Sequence, residues 1–205
     1  MLRYPVKVGR PREHNEETRE RLLRVASAII RRGGPEALTV RGLASEAGVT
    51  TRAIYSLFSG LPEIIAVLCA RSADAMVKYH EAVPVSDDPL SELLPLALAY
   101  RAAAQEQADL YEMLYTPTAV AGQPPREYPQ PVQRTVGRVL DTIHRAIVAG
   151  QLPSVNDHDL FQGLWAIVHG LTSLELRGVL GTPSDCDRIW RDTITTHVRG
   201  LVTPR

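Results

Sequence analysis

The sequence predicts an all-α protein. Apolar residues recur at helical spacing through most of the chain, no segment alternates apolar and polar residues as a strand does, and clusters of Pro, Gly and Asp separate the periodic segments. The 205 residues, 44% of them hydrophobic, can bury the core of one large or two small domains. We expect a three-helix head followed by a larger helical bundle, the body, with about nine helices in all.

The N-terminal residues 1–14 are predicted to form a flexible basic arm, because two prolines and a glycine interrupt its basic residues. This arm either has no function or contacts a DNA backbone or minor groove, and the sequence favours neither. Asn15 is expected to cap the first helix, with glutamates in its first turn. The buried side of that helix is predicted to consist of Leu22, Val25, Ala26, Ile29 and Ile30, and the helix to end at Gly33.

The segment 39–58 has the pattern of two short helices joined by a tight turn. Thr39 is a good N-cap, and Gly48 ends the first helix where a left-handed backbone is needed. The small Ala44 allows the two helices to cross closely. The apolar side of the first helix is Leu43, Ala44 and Ala47. This pattern predicts a helix-turn-helix.

The second of these helices is expected to carry the DNA-reading surface. Thr50 is its predicted N-cap, and the helical spacing turns Ile54, Leu57 and Phe58 inward. The opposite side then presents hydroxyl groups, a guanidinium and a phenol, which suit phosphates and base edges in a major groove. The predicted DNA-binding residues are Thr39, Arg41, Thr50, Thr51, Arg52, Tyr55 and Ser56.

The rest of the chain is predicted to be helical, with breaks at its proline-rich segments. Pro95 is expected either to kink the helix that contains it or to mark a late start. The expected helices are Leu61 to about Ala82, Leu90 to Ala108, Asp109 to Tyr115, Val132 to Gly150, one capped by Asn156 or Asp157 that runs to about Leu180, and Asp185 to Leu201. We place the DNA-binding domain at 15–76 and the body at 77–205.

Aromatic and polar residues on the helices of the body are either ordinary core or the lining of a ligand cavity, and the pattern allows both. They combine apolar surface with a few hydroxyl and imidazole groups. Gly163 and Gly170, on either side of Trp165, are expected to border the same cavity. The candidate ligand-binding residues are Tyr100, Tyr111, Met113, Tyr115, Phe161, Trp165 and His169.

Charge supports a nucleic-acid partner for the head. The chain contains 23 basic and 23 acidic residues, yet residues 1–60 hold 11 basic against 6 acidic and residues 61–205 hold 12 against 17. A basic N-terminal part on an acidic remainder is typical of a protein with one end near phosphates. No apolar run is long enough for a membrane span and no signal peptide is recognisable, so we predict a cytoplasmic protein with no membrane partner.

Chemistry other than binding is not indicated. The six histidines are dispersed, and the nearest approach to a metal cluster, Asp157-His158-Asp159, is explained by the start of a helix, where acidic residues are expected. No phosphate-binding glycine loop, nucleophile elbow or paired carboxylates stand out. Cys69 and Cys186 are predicted to be buried thiols rather than a disulfide. We therefore predict no metal, no cofactor and no enzymatic activity.

These motifs resemble the tetracycline-repressor (TetR/AcrR) family of bacterial regulators. The resemblance rests on an amphipathic helix that ends in Gly33-Gly34, the segments 38–44 and 47–49, the pair Ile54-Tyr55 with Phe58, and Leu61-Pro62-Glu63-Ile64 at the start of a fourth helix. Downstream, Trp165, His169 and Gly170 resemble the Trp-x-x-x-His-Gly signature of the WHG type of ligand-binding domain. One difference is that Leu61 and Pro62 stand where family members often carry a phosphate-holding lysine or serine, so backbone amides would have to do this.

The resemblance implies a transcriptional regulator, most simply a repressor that binds a palindromic operator in double-stranded DNA and is released by a small-molecule inducer. One helix-turn-helix makes few base contacts, so a homodimer through the last two long helices is expected. The apolar rows predicted for that interface are Leu164, Ile167, Leu171 and Leu174 on one helix and Ile189, Ile194, His197 and Leu201 on the other.

Two alternatives remain at this point. One is a helix-turn-helix regulator without a small-molecule ligand, controlled by its concentration or by a protein partner. The other is an enzyme or carrier that contains a helix-turn-helix, for which the sequence offers no catalytic group. The presence of a closed apolar void of roughly 300 Å³ or more in the body would favour the ligand-responsive regulator over the ligand-free one.

Overall fold

The computed structural model describes residues 12–108, 110–111 and 130–202. Within these ranges the chain forms eight α-helices and no strand, as the sequence predicts. Two short 3₁₀ turns, Pro35–Ala37 and Pro89–Glu92, precede α2 and α5. The helices are α1 (Arg12–Gly33), α2 (Val40–Ala47), α3 (Thr51–Leu57), α4 (Leu61–Glu81), α5 (Leu93–Glu106), α6 (Gln130–Val148), α7 (Asp157–Leu176) and α8 (Pro183–Leu201).

The first helix begins earlier than predicted. α1 starts at Arg12, so Asn15 lies inside the helix instead of capping it, and residues 12–14 do not belong to an arm. Pro11 is the last helix-breaking residue of the N-terminal sequence, and nothing after it opposes the helical backbone. The predicted arm over residues 1–11 lies outside the described residues.

The helices of the C-terminal half also differ from the predicted limits at their ends. Pro95 lies in the first turn of α5, where its missing N–H is not needed, so it marks a late start and not a kink. α7 is capped by Asn156 as predicted, but it ends at Leu176 because Gly178 takes a left-handed backbone with φ of 71°. α8 begins at Pro183, since Thr182 and Asp185 form a capping box ahead of it.

The described residues divide into two compact units, and the division falls between Leu68 and Cys69, inside α4. The N-terminal unit has its own small core, drawn from α1, α2, α3 and the beginning of α4. Its most buried side chains are Leu22, Leu23, Ala26, Ile30, Leu43, Ile54, Phe58 and Ile64. Val25, predicted as core, is half-buried, while Leu23 is buried. The predicted domain limits of 15–76 and 77–205 stay a prediction.

The C-terminal unit is a helical bundle with a continuous apolar core. That core joins residues of α4 to α8, and Trp190 and Ile194 are fully buried in it. Arg101 of α5 forms two hydrogen bonds to Glu175 of α7, at 2.8 and 2.5 Å, and pairs with Asp187 of α8 at 2.6 Å. Because the Trp190 indole also donates to Glu175 at 2.7 Å, one carboxylate ties three helices together.

A second polar cluster fixes the connection between α4 and α5 onto α6. The buried carboxylate of Glu92 accepts hydrogen bonds from Arg138 at 2.7 Å, from Arg145 at 3.0 Å and from the Ser86 amide at 2.7 Å. Burial raises the pKa of Glu92, but the hydrogen bonds from Arg145, Ser86 and Arg138 outweigh it and lower the pKa to about 2. Glu92 is therefore ionised at neutral pH.

The apolar rows predicted for a dimer interface are only partly available. Leu164, Leu171 and Ile194 are buried within the protomer, so they belong to its own core and the prediction is wrong for them. Helical spacing alone could not separate the side of α7 that faces α5 and α8 from its outer side. Leu174 is 46% exposed, and the remaining members of the rows are half-buried.

Cys186 is buried and Cys69 half-buried, and both are free thiols, as expected. Burial raises the pKa of each thiol. Among the described helices, none is by itself long and apolar enough to cross a membrane, although the bent pair α3 and α4 meets those criteria together by length and composition.

Candidate DNA-binding surface and ligand cavity

Two capped helices build the predicted helix-turn-helix. The Thr39 hydroxyl accepts a hydrogen bond from the Gly42 amide at 3.1 Å at the start of α2. Gly48 ends α2 with φ of 65°, a conformation that favours glycine, and the Val49 amide then donates to the Ala44 carbonyl at 2.9 Å. The sequence pattern therefore corresponds to real caps and a real turn.

The outer side of α3 carries the residues predicted to read DNA. The Thr50 hydroxyl accepts a hydrogen bond from the Ala53 amide at 3.2 Å, while Ile54 and Phe58 are buried. Leu57, predicted as core, is only half-buried, because it lies at the last turn of a seven-residue helix. The predicted DNA-binding residues Thr39, Arg41, Thr50, Thr51, Arg52, Tyr55 and Ser56 are all exposed, Tyr55 to 59%.

Charge and hydrogen bonding at this surface favour an anionic partner. Within the described part of the chain, Arg41 and Arg52 have no acidic partner, whereas the neighbouring Arg32 is held by both carboxylate oxygens of Glu46 at 2.9 and 2.7 Å. The hydroxyl oxygens of Thr39 and Thr50 accept hydrogen bonds from backbone amides of α2 and α3. Each hydroxyl proton can therefore be donated to a phosphate oxygen.

Ser56 is less suited to donate a hydrogen bond to DNA, because its hydroxyl already donates to the Ala53 carbonyl at 2.8 Å.

The start of α4 also differs from the expectation that its backbone amides are free to hold a phosphate. The Glu63 carboxylate accepts a hydrogen bond from the Ser59 amide at 2.6 Å, and that bond lowers the pKa of Glu63. One of the amides that could replace the missing lysine or serine is therefore occupied by a negative side chain.

The C-terminal unit contains a cavity of about 310 Å³. In the described part of the chain, four helices line it: the C-terminal half of α4, then α5, α6 and α7. Of the predicted ligand-binding residues, Tyr100, Phe161 and Trp165 line this cavity. Met113 and Tyr115 lie outside the described residues. The volume is at the lower end of the range for small-molecule pockets.

Tyr111 and His169 lie behind the cavity wall rather than in it. The Tyr100 and Tyr111 hydroxyls are 2.9 Å apart, and the Tyr111 hydroxyl is 2.6 Å from Nδ1 of His169. The His169 ring stacks on Trp165 with centroids 5.3 Å apart. These two predicted ligand residues thus support Tyr100 and Trp165, which do line the cavity.

The described part of the cavity wall is mostly apolar, and its most buried polar residue was not predicted from the sequence. His80 of α4 lines the cavity and is 3% exposed. Neither of its ring nitrogens has a hydrogen-bond partner of good geometry within the described residues, although the Leu96 and Thr135 carbonyls lie near the ring. Burial lowers the pKa of His80 to about 4, so the imidazole is neutral. The spacing of Ala73, Met76 and His80 on one side of α4 was the available signal.

Gly163 and Gly170 do not border the cavity, so that prediction is wrong. A Cβ atom built on either glycine meets nothing within 4 Å, and Gly163 is exposed. Both lie on the outer side of α7, because Trp165 and Leu164 turn toward the core on its opposite side.

Among the described residues, no group of three histidines, cysteines, aspartates or glutamates is placed to hold a metal ion.

Comparison with known proteins agrees with both units. Residues 22–64 match the family model described as bacterial regulatory proteins, tetR family, and residues 93–197 match the tetracyclin repressor-like, C-terminal domain. The second match contains Trp165, His169 and Gly170. No curated protein sequence is significantly similar to the chain.

Solved structures share the fold at low sequence identity. A Rhodococcus sp. RHA1 protein of unknown function has a TM-score of 0.75 at 21% identity, with 98% of this chain and 100% of that chain covered. PfmR, a TetR family transcriptional regulator from Thermus thermophilus, has a TM-score of 0.73 at 19% identity, with 91% and 98% covered. The ketosteroid transcriptional regulator KstR2 of Mycobacterium tuberculosis has a TM-score of 0.67 at 20% identity, with 96% and 99% covered.

The chain therefore belongs to the TetR family of DNA-binding transcriptional regulators.

Proposed function

We propose that this protein is a repressor that binds a palindromic operator as a homodimer and leaves it when a small molecule enters the cavity of the C-terminal unit. The observation that carries the proposal is the cavity of about 310 Å³ whose wall includes Ala73, Met76 and His80 of α4. The same unbroken helix begins at Leu61, directly after the helix-turn-helix. A ligand and an operator would thus act on one helix.

The DNA contacts in this proposal divide by chemistry. Arg52 and Tyr55 project from α3, the helix that enters the major groove in a helix-turn-helix, so they are assigned to base edges. Arg41 and the capping hydroxyls of Thr39 and Thr50 are assigned to phosphates. The absence of an acidic partner for either arginine in the described chain supports this, since no ion pair has to be broken first.

The homodimer is assigned to the outer sides of α7 and α8. Gly163, Ala166 and Gly170 lie along α7 on a side with little side-chain bulk, next to the half-buried Ile167 and the exposed Leu174. Small residues allow two helices to approach closely, and the neighbouring apolar residues would then be removed from water. Two recognition helices one DNA turn apart, ~34 to 36 Å, would match an inverted repeat.

Release by the ligand is assigned to a shift of α4. A ligand that separates α4 from α5 and α6 favours one position of α4, and its effect is limited by its difference in affinity for the two states. A regulator without a ligand would not need a cavity of this size next to α4.

The experiment is selection of bound DNA from a random pool with the full chain. The proposal predicts that an inverted repeat is enriched, with half-site centres one helical turn or a multiple of it apart. Enrichment of a single, unrepeated half-site would contradict the dimer, and recovery of no common sequence would contradict operator binding. The Arg52→Ala chain is the control and should enrich no common sequence.

A further inference from the structure

The cavity wall contains one buried polar group, the His80 imidazole, that makes no hydrogen bond of good geometry within the described residues. His80 is 3% exposed and lines the cavity, and neither ring nitrogen has a hydrogen-bond partner of good geometry within the described residues, although the Leu96 and Thr135 carbonyls lie near the ring. Buried polar atoms in folded proteins nearly always have a partner, because an unpaired one costs free energy. A group that stays unpaired on the wall of a cavity is placed to bond whatever fills the cavity.

The rest of the wall excludes a charged ligand from the interior. No lysine, arginine, aspartate or glutamate is among the described residues that line the cavity. The other polar residues of the described wall are Thr135, whose hydroxyl donates to the Pro131 carbonyl, and Tyr100, whose hydroxyl lies beside that of Tyr111. Trp165, stacked on His169, and the exposed His158 and Gln162 complete the set. An ion buried here would lose its hydration without gaining an opposite charge.

We propose that the effector is an uncharged, mainly apolar molecule with one hydroxyl or carbonyl group, and that this group hydrogen-bonds to His80. The inference rests on the proposed function, in which the cavity is the effector site. A neutral imidazole has one N–H donor and one acceptor nitrogen, so it can bond either group. Burial lowers the pKa of His80 to about 4, in agreement with a neutral ring.

Cavity size limits the ligand further. A volume of about 310 Å³ is near the lower end of the range of about 300 to 1,000 Å³ for small-molecule pockets, so the occupant is a small ligand. Because His80 belongs to α4, the hydrogen bond would attach the ligand directly to the helix that begins beside the helix-turn-helix. The same side chain would then serve both recognition and response.

The test uses three probes with one eight-carbon chain and different polar groups: 2-octanone, octanoate and octylamine. Isothermal titration calorimetry at pH 7.5 on the full chain measures the affinity of each. We expect 2-octanone to bind at least about tenfold more tightly than either ion, which corresponds to ~1.4 kcal/mol. The His80→Leu chain should lose about tenfold in 2-octanone affinity and little in octanoate affinity.

Two controls separate the hydrogen bond from a change in folding. His80→Gln keeps a donor and an acceptor and should retain most of the preference for 2-octanone. His144→Leu makes the same histidine-to-leucine change at an exposed position that does not line the cavity. It should leave the affinities for all three probes unchanged.

The possible failures are distinguishable. Unchanged binding of 2-octanone to the His80→Leu chain would overturn the assignment of His80. Tighter binding of octanoate or octylamine than of 2-octanone would overturn the uncharged ligand class but leave the cavity as the effector site. If none of the three probes binds, both the ligand class and the assignment of His80 are overturned, while operator binding by a dimer is judged separately by the selected DNA.

Discussion

Arg52 and Tyr55 are exposed on α3, and neither forms an ion pair with another described residue. Arg52→Ala and Tyr55→Ala should each abolish specific operator binding without lowering the melting temperature. Losing one good base contact costs ~1 to 3 kcal/mol of discrimination against wrong sequences. Competition between operator and non-specific DNA measures it, with Lys78→Ala, an exposed cation of the C-terminal unit, as the control. A fall in melting temperature would show that the side chain is structural.

Arg41 should behave differently from Arg52. As a phosphate contact it contributes to every sequence alike, so Arg41→Ala is expected to weaken operator and non-specific DNA by the same factor. The slope of log affinity against log salt concentration should also become shallower by about two, which is about one for each protomer of the dimer. Affinities measured at several salt concentrations test this, and an unchanged slope would remove Arg41 from the phosphate contacts.

His80 makes a prediction about stability that is independent of any ligand. An unpaired buried imidazole opposes folding, and leucine has a similar size without a polar atom, so His80→Leu should raise the free energy of unfolding by about 1 kcal/mol. Urea unfolding without added ligand measures the change. A clear loss of stability would mean that the ring is satisfied within the fold.

The helices of the C-terminal unit depend on Glu92, whose carboxylate is held by Arg138 and Arg145 of α6. Glu92→Gln keeps the shape but removes the carboxylate that pairs with Arg138, and it leaves Arg145 with only its exposed partner Asp141 among the described residues. We expect the free energy of unfolding to fall by about 2 to 3 kcal/mol. Urea unfolding at pH 7 measures the loss, and Arg188→Gln, at an exposed ion pair with Asp185, is the control and should change little.

Glu92 also predicts a pH dependence. Its pKa in the folded protein is about 2, below the ordinary glutamate value of 4.5. The carboxylate therefore stabilises the fold fully above about pH 5, and this contribution is lost as the pH falls through 4 toward 2. Urea midpoints at pH 5, 4 and 3 should decline less steeply in the Glu92→Gln chain than in the natural one. Parallel declines would contradict the low pKa.

Local patterns predicted most of the helices and the exposure of the candidate DNA-binding residues. Caps such as Thr39, Thr50 and Asn156, and the turn at Gly48, are decided by neighbours within a few residues, so the sequence shows them directly. The Glu92 cluster joins positions about fifty residues apart, and the cavity needs four helices in place before His80 can be seen to face it. Helical spacing shows which residues share one side of a helix, but it does not show which neighbouring helix covers that side. For this reason the predictions for Gly163, Gly170 and Leu164 are wrong.

The homodimer depends on the outer side of α7, where Gly163 has open space in place of a side chain. Gly163→Trp should leave the protomer folded and shift the protein from dimer to monomer, because the indole would hold the two copies apart. Gly137→Trp on α6 is a matched control, since a Cβ there also meets nothing within 4 Å. Sedimentation velocity measures both. A Gly163→Trp chain that stays dimeric would place the interface elsewhere.

The account as a whole requires that filling the cavity weakens DNA binding. The most direct measurement is the operator affinity, by fluorescence anisotropy, with and without enough 2-octanone to saturate the cavity. A tenfold to hundredfold weaker operator affinity is expected, which corresponds to ~1.4 to 2.7 kcal/mol of coupling. The Ala97→Trp chain, in which an indole occupies part of the cavity, should show no response to 2-octanone. An operator affinity that is the same with the cavity empty and saturated would contradict a regulator gated through α4.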